Sequence, residues 1–180
     1  FPKWRAQRYI NEEKNVMANL QSEDYQEFLL NNEGVPERWR TLKSPWLKNG
    51  VIAGYINIGI KLEDQGQLEK RSDLLPPIVQ SIAKHACENI SLDQISANLG
   101  FSRRTMERRF KELMRESPQQ FRMRCRIATA KAHLLKGKKV IDVGQLCGFN
   151  DQSHFSKAFK IYEGISPKKF QLNEEAKKLG

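Results

Sequence analysis

Residues 100–111 have the sequence GFSRRTMERRFK, which predicts a tight turn followed by a short and very basic helix. Ser102 stands where the residue before the first helical turn belongs. A serine oxygen at that position accepts a hydrogen bond from the free backbone N–H groups of the turn. The free N–H groups and the arginines that follow predict a helix end that faces something negative.

The spacing within this stretch predicts a helix with two unlike sides. Met106, Phe110 and Leu113 recur at helical intervals and predict a side buried in a core. Arg104 and Arg108 lie one turn apart on the polar side. We therefore expect one side of the helix to be packed and the other to be offered to a partner.

The positive charge of the chain is concentrated in its second part. The chain has 180 residues and a formal net charge of +10. Residues 1–71 contain 11 Lys and Arg against 10 Asp and Glu, whereas residues 72–180 contain 20 against 11. Such a distribution indicates that the second part meets a polyanion, either nucleic acid or an anionic membrane, the alternative being a generally basic surface.

Composition excludes several classes of protein. With 39% hydrophobic residues and a mean hydropathy of −0.66, the chain is typical of a soluble globular protein. It has no apolar run near the roughly 20 residues that cross a bilayer, and no signal peptide. We therefore predict a cytoplasmic protein that does not enter a membrane. Because the first residue is Phe1, we expect a fragment or a processed product.

The cysteines predict no metal or disulfide chemistry. Cys87, Cys125 and Cys147 are odd in number, far apart and placed among apolar helical positions. Neither a disulfide framework nor a zinc-binding pair fits that spacing. We interpret them as reduced core residues, and we predict neither a metal nor a cofactor.

The first part predicts one helix and a three-stranded antiparallel meander. The helix is expected from Trp4 to Leu20, and the strands near residues 25–30, 36–47 and 51–62. Asn49-Gly50 between the last two runs is the strongest short hairpin signal. Alternation then places a set of apolar residues on one face of the sheet: Ile52, Ile56, Ile58, Ile60 and Leu62.

This part resembles the C-terminal half of a PAS sensor domain. The resemblance rests on residues 39–45, the Asn-Gly hairpin, residues 51–54 and an Ile-rich strand ending at Glu63-Asp64. The first PAS strands and the helices that complete a pocket are absent from the sequence. The apolar face must then pack on the second part, on another copy in a homodimer, or on a further segment. The part is either a sensor or a dimerising scaffold.

The charged segment 61–73 has no apolar period and predicts the domain boundary. We place residues 1–71 in the PAS-like segment and residues 72–180 in a second domain. The expected fold class is α+β, with an all-α second domain of about seven helices.

In the second domain Pro76-Pro77 can open a first helix, with an apolar stripe of Ile78, Ile82 and Ala86, and a helix-turn-helix follows it. Ser91 is placed to cap a short helix with Leu92, Ile95 and Leu99 facing inward. Gly100 ends that helix, and the basic helix begins three positions later. Two short helices joined by such a turn form the unit whose second helix enters the DNA major groove.

The same arrangement is repeated downstream. Cys147-Gly148-Phe149 corresponds to Leu99-Gly100-Phe101, and Phe159-Lys160 corresponds to Phe110-Lys111. Asp151 can cap where Ser102 does, while Val140, Val143 and Leu146 correspond to the inward positions of the first unit. The chain therefore carries two helix-turn-helix units.

A longer helix connects the two units. Ser117-Pro118 supplies its cap and first residue, and Gly137 ends it. Its buried face is expected to contain Phe121, Cys125, Ala128, Ala132 and Leu135, widened by Met123, Ile127 and Leu134. A last helix is expected from Pro167 through Phe170, followed by a frayed tail.

Residues 91–110, 118–130, 148–160 and 164–167 resemble the DNA-binding domain of AraC/XylS-type transcription regulators. The resemblance implies seven helices, two DNA-reading helices in successive major-groove segments, and transcription control through contact with RNA polymerase.

By helix position we predict nine DNA-contacting residues. They are Arg103, Arg104, Thr105, Arg108 and Arg109 in the first unit, and Gln152, Ser153, His154 and Lys157 in the second. Arginine forks suit guanine and glutamine suits adenine. Three interpretations stay open: Arg109 contacts phosphate or only solvent, His154 contacts DNA or only covers the surface, and Glu107 accepts from cytosine or pairs with Lys111.

The predicted function is sequence-specific binding of double-stranded DNA by a transcription regulator that is not an enzyme. One alternative is a non-specific architectural nucleic-acid-binding protein. The other is an Ada-type DNA-repair methyltransferase, which needs a four-cysteine metal site that three scattered cysteines cannot form.

Overall fold

The computed structural model describes residues 3–31, 34–62 and 77–179. These residues divide into two compact units, one built on a small sheet and the other entirely helical. The predicted α+β fold class is confirmed. The predicted domain boundary after Arg71 lies outside the described residues.

The first unit has one helix and one sheet. Helix α1 spans Lys3–Asn19, and strands β1, β2 and β3 span Glu23–Leu30, Pro36–Lys48 and Val51–Lys61. The strand order is β1-β2-β3, with β2 and β3 antiparallel. Asn49 and Gly50 have φ values of 52° and 78°. A two-residue hairpin turn of this handedness matches the twist of the flanking strands, and the predicted hairpin is therefore confirmed.

One face of the sheet is closed by α1 through a buried ion pair. The Lys43 ammonium lies 2.8 Å from a Glu12 carboxylate oxygen, and the two side chains are 2% and 11% exposed. The Tyr25 hydroxyl donates to the same carboxylate at 3.3 Å. Burial, with Glu27 and Glu12 nearby, raises the pKa of Tyr25 to about 12. A charge as deeply buried as Lys43 is tolerated because it is paired in this way.

The other face of the sheet carries the predicted row of isoleucines. Ile56 and Ile58 lie opposite Ser44 and Leu42 on β2. The side chains of Ile56, Ile58 and Ile60 are 48%, 48% and 58% exposed. The apolar face therefore exists as expected, whereas what covers it stays a prediction.

The described residues of the second unit form seven helices, in agreement with the prediction of about seven. Their bounds are α2 Pro77–Lys84, α3 Leu92–Asn98, α4 Arg103–Met114, α5 Pro118–Leu135, α6 Val140–Leu146, α7 Gln152–Glu163 and α8 Pro167–Leu179. The last helix runs well past Phe170, where the sequence interpretation ended it. The residues that follow are good helix formers without Gly or Pro, so nothing stops the helix there.

Helix α5 is the centre of this unit, because it packs against α2, α4, α6, α7 and α8. Phe121 contacts Phe110 of α4 with ring centroids 5.3 Å apart. Further along α5, Ile127, Ala130 and Leu134 join the core of the second helix-turn-helix. The prediction that this helix connects the two helix-turn-helix units and is buried in both of them is confirmed.

Three predicted core positions are wrong, although two of their neighbours, Leu134 and Cys147, were predicted correctly as core residues. Leu113, Leu135 and Leu146 are 43%, 38% and 49% exposed, whereas their neighbours Met114, Leu134 and Cys147 are 5%, 1% and 0% exposed. Each position lies at the edge of an apolar stripe. Which of two adjacent residues is buried there depends on the side from which the neighbouring helix approaches.

Two arginines of α5 hold the chain that follows α2, and we call Arg122 and Arg126 the arginine clamp. Arg122 donates to the carbonyls of Ala86 at 3.1 Å, Ile90 at 2.6 Å and Glu88 at 2.6 Å. Arg126 donates to the Ala86 carbonyl at 2.7 Å. These carbonyls lie beyond the last turn of α2, where no helix or strand provides donors, so the clamp satisfies them.

Replacement of Arg122 by alanine is expected to lower the free energy of unfolding by about 2–6 kcal/mol, because the Ile90 and Glu88 carbonyls each lose a charged donor at about 1–3 kcal/mol, while the Ala86 carbonyl keeps Arg126. Arg122→Lys is expected to fall between alanine and the wild type, since an ammonium cannot reproduce the planar fork. Urea unfolding followed by helical circular dichroism measures both. Losses no larger than that of the exposed Arg104→Ala variant would contradict the clamp.

Candidate nucleic-acid interface

The first helix-turn-helix is built by two serine caps. The Ser91 hydroxyl accepts from the Gln94 backbone N–H at 3.1 Å, and the Gln94 side chain accepts from the Ser91 N–H at 2.8 Å. Ser102 accepts from the Thr105 N–H at 3.2 Å. Between the two helices Gly100 has φ of +72°. Each predicted helix start is confirmed, and the turn is held by local hydrogen bonds.

Helix α4 presents its predicted contact residues on the side away from the core. Met106 and Phe110 are fully buried, whereas Arg104, Arg108 and Arg109 are exposed. Arg103 and Thr105 are partly covered. Thr105 also shares a hydrogen bond of 2.9 Å with the Ser102 hydroxyl, so its side chain takes part in the cap.

The acidic residues around α4 pair with arginines rather than with lysine. Arg103 lies 3.1 Å from an Asp93 oxygen and 2.6 Å from a Glu107 oxygen. The interpretation of Glu107 as a helix ion-pair residue is therefore confirmed. The partner predicted for it, Lys111, is wrong, because Arg103 approaches from the preceding turn while also reaching Asp93 of α3.

The other three arginines of α4 that are predicted to contact DNA differ in the contacts of their side chains. Arg108 lies 3.1 Å from a Glu112 oxygen, with both side chains more than half exposed. The Arg109 guanidinium lies 4.7 Å from the centre of the Phe101 ring, which it covers. Arg104 forms no hydrogen bond or ion pair with another described residue. Exposed ion pairs are weak, so each of these arginines can turn toward a stronger anion.

The second helix-turn-helix repeats the geometry with a carboxylate cap. Asp151 accepts from the His154 backbone N–H at 2.7 Å, in the place that Ser102 takes in the first unit. Gly148 has φ of +75°, close to that of Gly100. A Cβ atom at Gly148 would lie 2.5 Å from the Cys87 carbonyl oxygen. Glycine is needed here both for the turn and for this close approach.

Helix α7 presents its predicted contact residues in the same manner as α4. Phe155 and Phe159 are fully buried. The side chains on the other side are exposed: Gln152, Ser153, His154 and Lys157. The His154 ring meets the Phe149 ring edge-on at 5.4 Å, which fixes the position of the imidazole without burying it.

A polar cleft of about 410 Å³ separates the start of α3 from the start of α7. Its lining includes Gln94 and Arg122 on one side, with Asn150 and His154 on the other. Arg126 contributes to the lining and also lies 5.6 Å from the centre of the Phe149 ring. The arginine clamp therefore contacts parts of both helix-turn-helix units.

The structure brings the nine predicted residues together as two sets, five on α4 and four on α7, with both helices packed on α5. Sequence reasoning missed the arginine clamp. The available signal is that Arg122 and Arg126 lie four residues apart, next to the buried Phe121 and Cys125. Charges in register with a buried face indicate a buried polar contact.

Metal sites and membrane-spanning helices are two further possibilities for the part of the chain that the structure describes. No group of three or more His, Cys, Asp or Glu side chains is arranged there to hold a metal ion. None of the helices described is both long and apolar enough to cross a bilayer.

The two caps give a stability prediction. Ser102→Ala and Asp151→Ala are each expected to destabilise the helical unit by about 1 kcal/mol, because each leaves one backbone N–H of a reading helix without its acceptor. Ser102→Thr and Asp151→Asn keep an acceptor and serve as matched controls in thermal unfolding. If the alanine variants unfold like these controls, the caps contribute nothing.

Comparison with known proteins identifies sequences that are similar to the helical unit. Residues 95–173 match a family described as a helix-turn-helix domain. The transcriptional regulator ArgR of Pseudomonas aeruginosa is 33% identical over 82 residues, which cover 45% of this chain and 25% of that protein. The probable transcriptional regulator LumQ of Photobacterium leiognathi is 32% identical over 118 residues, which cover 65% of this chain and 47% of that protein. The chain thus spans less than half of these relatives.

Two solved structures of transcription regulators are also similar to the helical unit. The DNA-binding domain of the transcriptional factor AdpA, determined in complex with a target DNA, is 26% identical with a TM-score of 0.53, covering 56% of this chain and 95% of that one. An AraC-type regulator from Chromobacterium violaceum is 27% identical with a TM-score of 0.51, covering 54% and 88%. The PAS resemblance of residues 1–71 lies outside the matched range 95–173 and stays a prediction. Residues 95–173 of this chain thus match a helix-turn-helix domain family, and the helical unit is similar to solved AraC-type DNA-binding domains.

Proposed function

We propose that the chain is part of a transcription regulator that binds double-stranded DNA sequence-specifically and reads two successive major-groove segments with α4 and α7. One observation carries the proposal: both helices bury an aromatic side on or beside α5 and leave a polar side exposed. A helix arranged in this way can enter a groove without disturbing the core.

The contact residues divide into those that provide affinity and those that read sequence. Helix α4 has arginine at positions 103, 104, 108 and 109, whereas the predicted contact residues of α7 include one lysine and one histidine. Cations that neutralise phosphates set the affinity and its salt dependence. We therefore assign most of the affinity to α4.

Base reading is assigned to exposed side chains with suitable donors. Arg104 and Arg108 are long enough to place two donors on guanine, and Gln152 can pair with adenine. Arg103 is assigned a positioning role, since it already joins Asp93 of α3 to Glu107 of α4. Arg109, Thr105, Ser153, His154 and Lys157 complete the proposed interface.

Three further proposals concern the whole protein. Regulation of transcription by an AraC-type domain implies contact with RNA polymerase. The exposed isoleucine face of the first unit fits a homodimer interface, because apolar surface of this kind is usually covered. The cytoplasm is the compartment in which we place the protein, since bacterial DNA and polymerase are found there.

Arg104→Ala and Arg108→Ala are each expected to weaken binding to the target duplex by about 1–3 kcal/mol and to relax specificity at one base pair. Lys138→Ala, outside the reading helices, is the control and is expected to weaken target and random DNA slightly and equally. Fluorescence anisotropy titrations on both duplexes measure these effects. Equal losses on target and random DNA for Arg108→Ala would contradict base reading.

The spacing of the two reading helices gives a second DNA prediction. Two major-groove segments on one face of the duplex lie about 10 bp apart. Insertion of about 5 bp between the two halves of a selected site rotates one half to the opposite face. Affinity is expected to fall well below that of the intact site but to stay above that of random DNA, because α4 still reads its own half. The same insertion outside the site is the control.

The same titration over a range of salt concentrations separates the proposal from an architectural function. A specific regulator is expected to prefer its target at every salt concentration, with affinity for both duplexes falling as salt rises. A steep salt dependence with no preference for any sequence selected from a random pool would support the architectural alternative.

A further inference from the structure

The three cysteines have unlike environments, although the sequence predicts that all are core residues. Cys125 and Cys147 are buried, whereas Cys87 is partly exposed. Cys87 lies in the segment that follows α2, directly after Ala86, whose carbonyl accepts from both arginines of the clamp. The core interpretation is confirmed for Cys125 and Cys147, whereas Cys87 packs against the core but is partly exposed.

Cys87 and Cys147 are brought together by the packing of two distant turns. Cys87 packs against the core cluster that contains Cys147. The backbones approach closely at the same place, since a Cβ atom on Gly148 would lie 2.5 Å from the Cys87 carbonyl oxygen. The two cysteines are therefore already neighbours in the folded protein.

The surroundings of Cys87 favour a thiolate. The neighbouring Cys147 thiol lowers the pKa of the Cys87 thiol, together with Thr129 and the charges of Arg126 and Arg122, against the opposing effect of burial. The proximity of Cys87 and burial raise the pKa of Cys147. The thiolate is the reactive form of cysteine.

The arginine clamp explains why a negative charge is favoured beside it. The Arg122 and Arg126 side chains donate to main-chain carbonyls of residues 86–90, which carry no net charge. Two partly desolvated guanidinium groups thus lie close to a sulfur atom that can become an anion. Cys125 has no such advantage, since burial raises its pKa to about 12.

We propose that Cys87 and Cys147 are a redox-modification site, in which Cys87 reacts with a peroxide and Cys147 then closes a reversible disulfide. This site is separate from the proposed DNA interface. Low-pKa, accessible cysteines that lie next to a second cysteine are the ones that are oxidised reversibly in proteins.

The chemistry balances in two steps. The Cys87 thiolate attacks one oxygen of the peroxide, so that an S–O bond forms, the O–O bond breaks, and the other oxygen leaves as an alcohol or water after taking a proton. Cys147 then loses its proton and attacks the Cys87 sulfur, forming the S–S bond and releasing water. Two thiols are oxidised and one peroxide is reduced, and a dithiol reductant reverses the reaction by exchange.

The disulfide would join the turn after α2 to the end of α6. These turns belong to the parts of the chain on either side of α5, and the closed loop includes the reading helix α4. A cross-link over so long a loop removes much of the conformational freedom of the unfolded chain. We therefore expect the oxidised helical unit to melt at a higher temperature, by about 5 °C or more.

The test uses the whole chain, treated with hydrogen peroxide at neutral pH, quenched with an alkylating reagent and digested without reduction. Peptide mass spectrometry is expected to find Cys87 linked to Cys147 within one molecule, with Cys125 alkylated. Cys87 is expected to be oxidised at least about 100-fold faster than Cys125 in the same molecule, because far more of it is thiolate at that pH. Circular dichroism confirms that each variant is folded.

Two variants separate the roles of the pair. In Cys147→Ser, peroxide is expected to leave a sulfenic acid on Cys87 that dimedone traps. In Cys87→Ser, Cys147 is expected to stay reduced, and Cys125→Ser is the control that behaves as the wild type. Oxidation of Cys87 no faster than that of Cys125, a disulfide between two molecules, or linkage to Cys125 would each overturn the proposal.

Discussion

The helical unit depends on the burial of α5, and the interaction that makes this burial specific is the arginine clamp. Arg122 and Arg126 are held by carbonyls of residues 86–90, in the segment between α2 and α3, where no helix provides hydrogen-bond donors. An arginine can lie inside a protein only when its donors are satisfied, so the turn after α2 must lie beside α5. Because the same helix then enters the core of the second helix-turn-helix, one element sets the position of both reading helices.

This arrangement leaves the reading helices free for another role. Their aromatic residues supply the packing, with Phe110 against Phe121 and Phe155 against Phe159, at ring distances of 5.3 and 5.7 Å. Their caps are local and polar, one from a hydroxyl and one from a carboxylate. The exposed sides therefore contribute only surface contacts, which are weak ion pairs and the ring contacts of Arg109 and His154, and their residues can differ between the two units. One side is rich in arginine and the other mixes amide, hydroxyl and imidazole groups.

The sheet unit is stabilised in a different way. Its closed face is held by a buried charge pair between Lys43 and Glu12, where an ordinary small sheet would use apolar contacts. A lone buried charge is strongly unfavourable, so this pair ties α1 to one register of the sheet. The opposite face has the apolar alternation of a surface that packs on another layer, and its isoleucines are about half exposed. The face that carries the charged Lys43 is therefore buried, whereas the face that carries the isoleucines is exposed.

The sequence by itself determined the features that depend on nearest neighbours along the chain. The helix caps at Ser91, Ser102, Ser117 and Asp151, the Asn49-Gly50 hairpin and the repeated Gly-Phe turn are local hydrogen bonds and backbone preferences, so they could be predicted. Only the tertiary structure decided which residue at a stripe edge is buried, Met114 rather than Leu113, and which cation Glu107 meets. It also decided that Cys87 packs beside Cys147 and that Arg122 holds the turn after α2. Both depend on segments that are distant in sequence and meet only when the helical unit folds around α5.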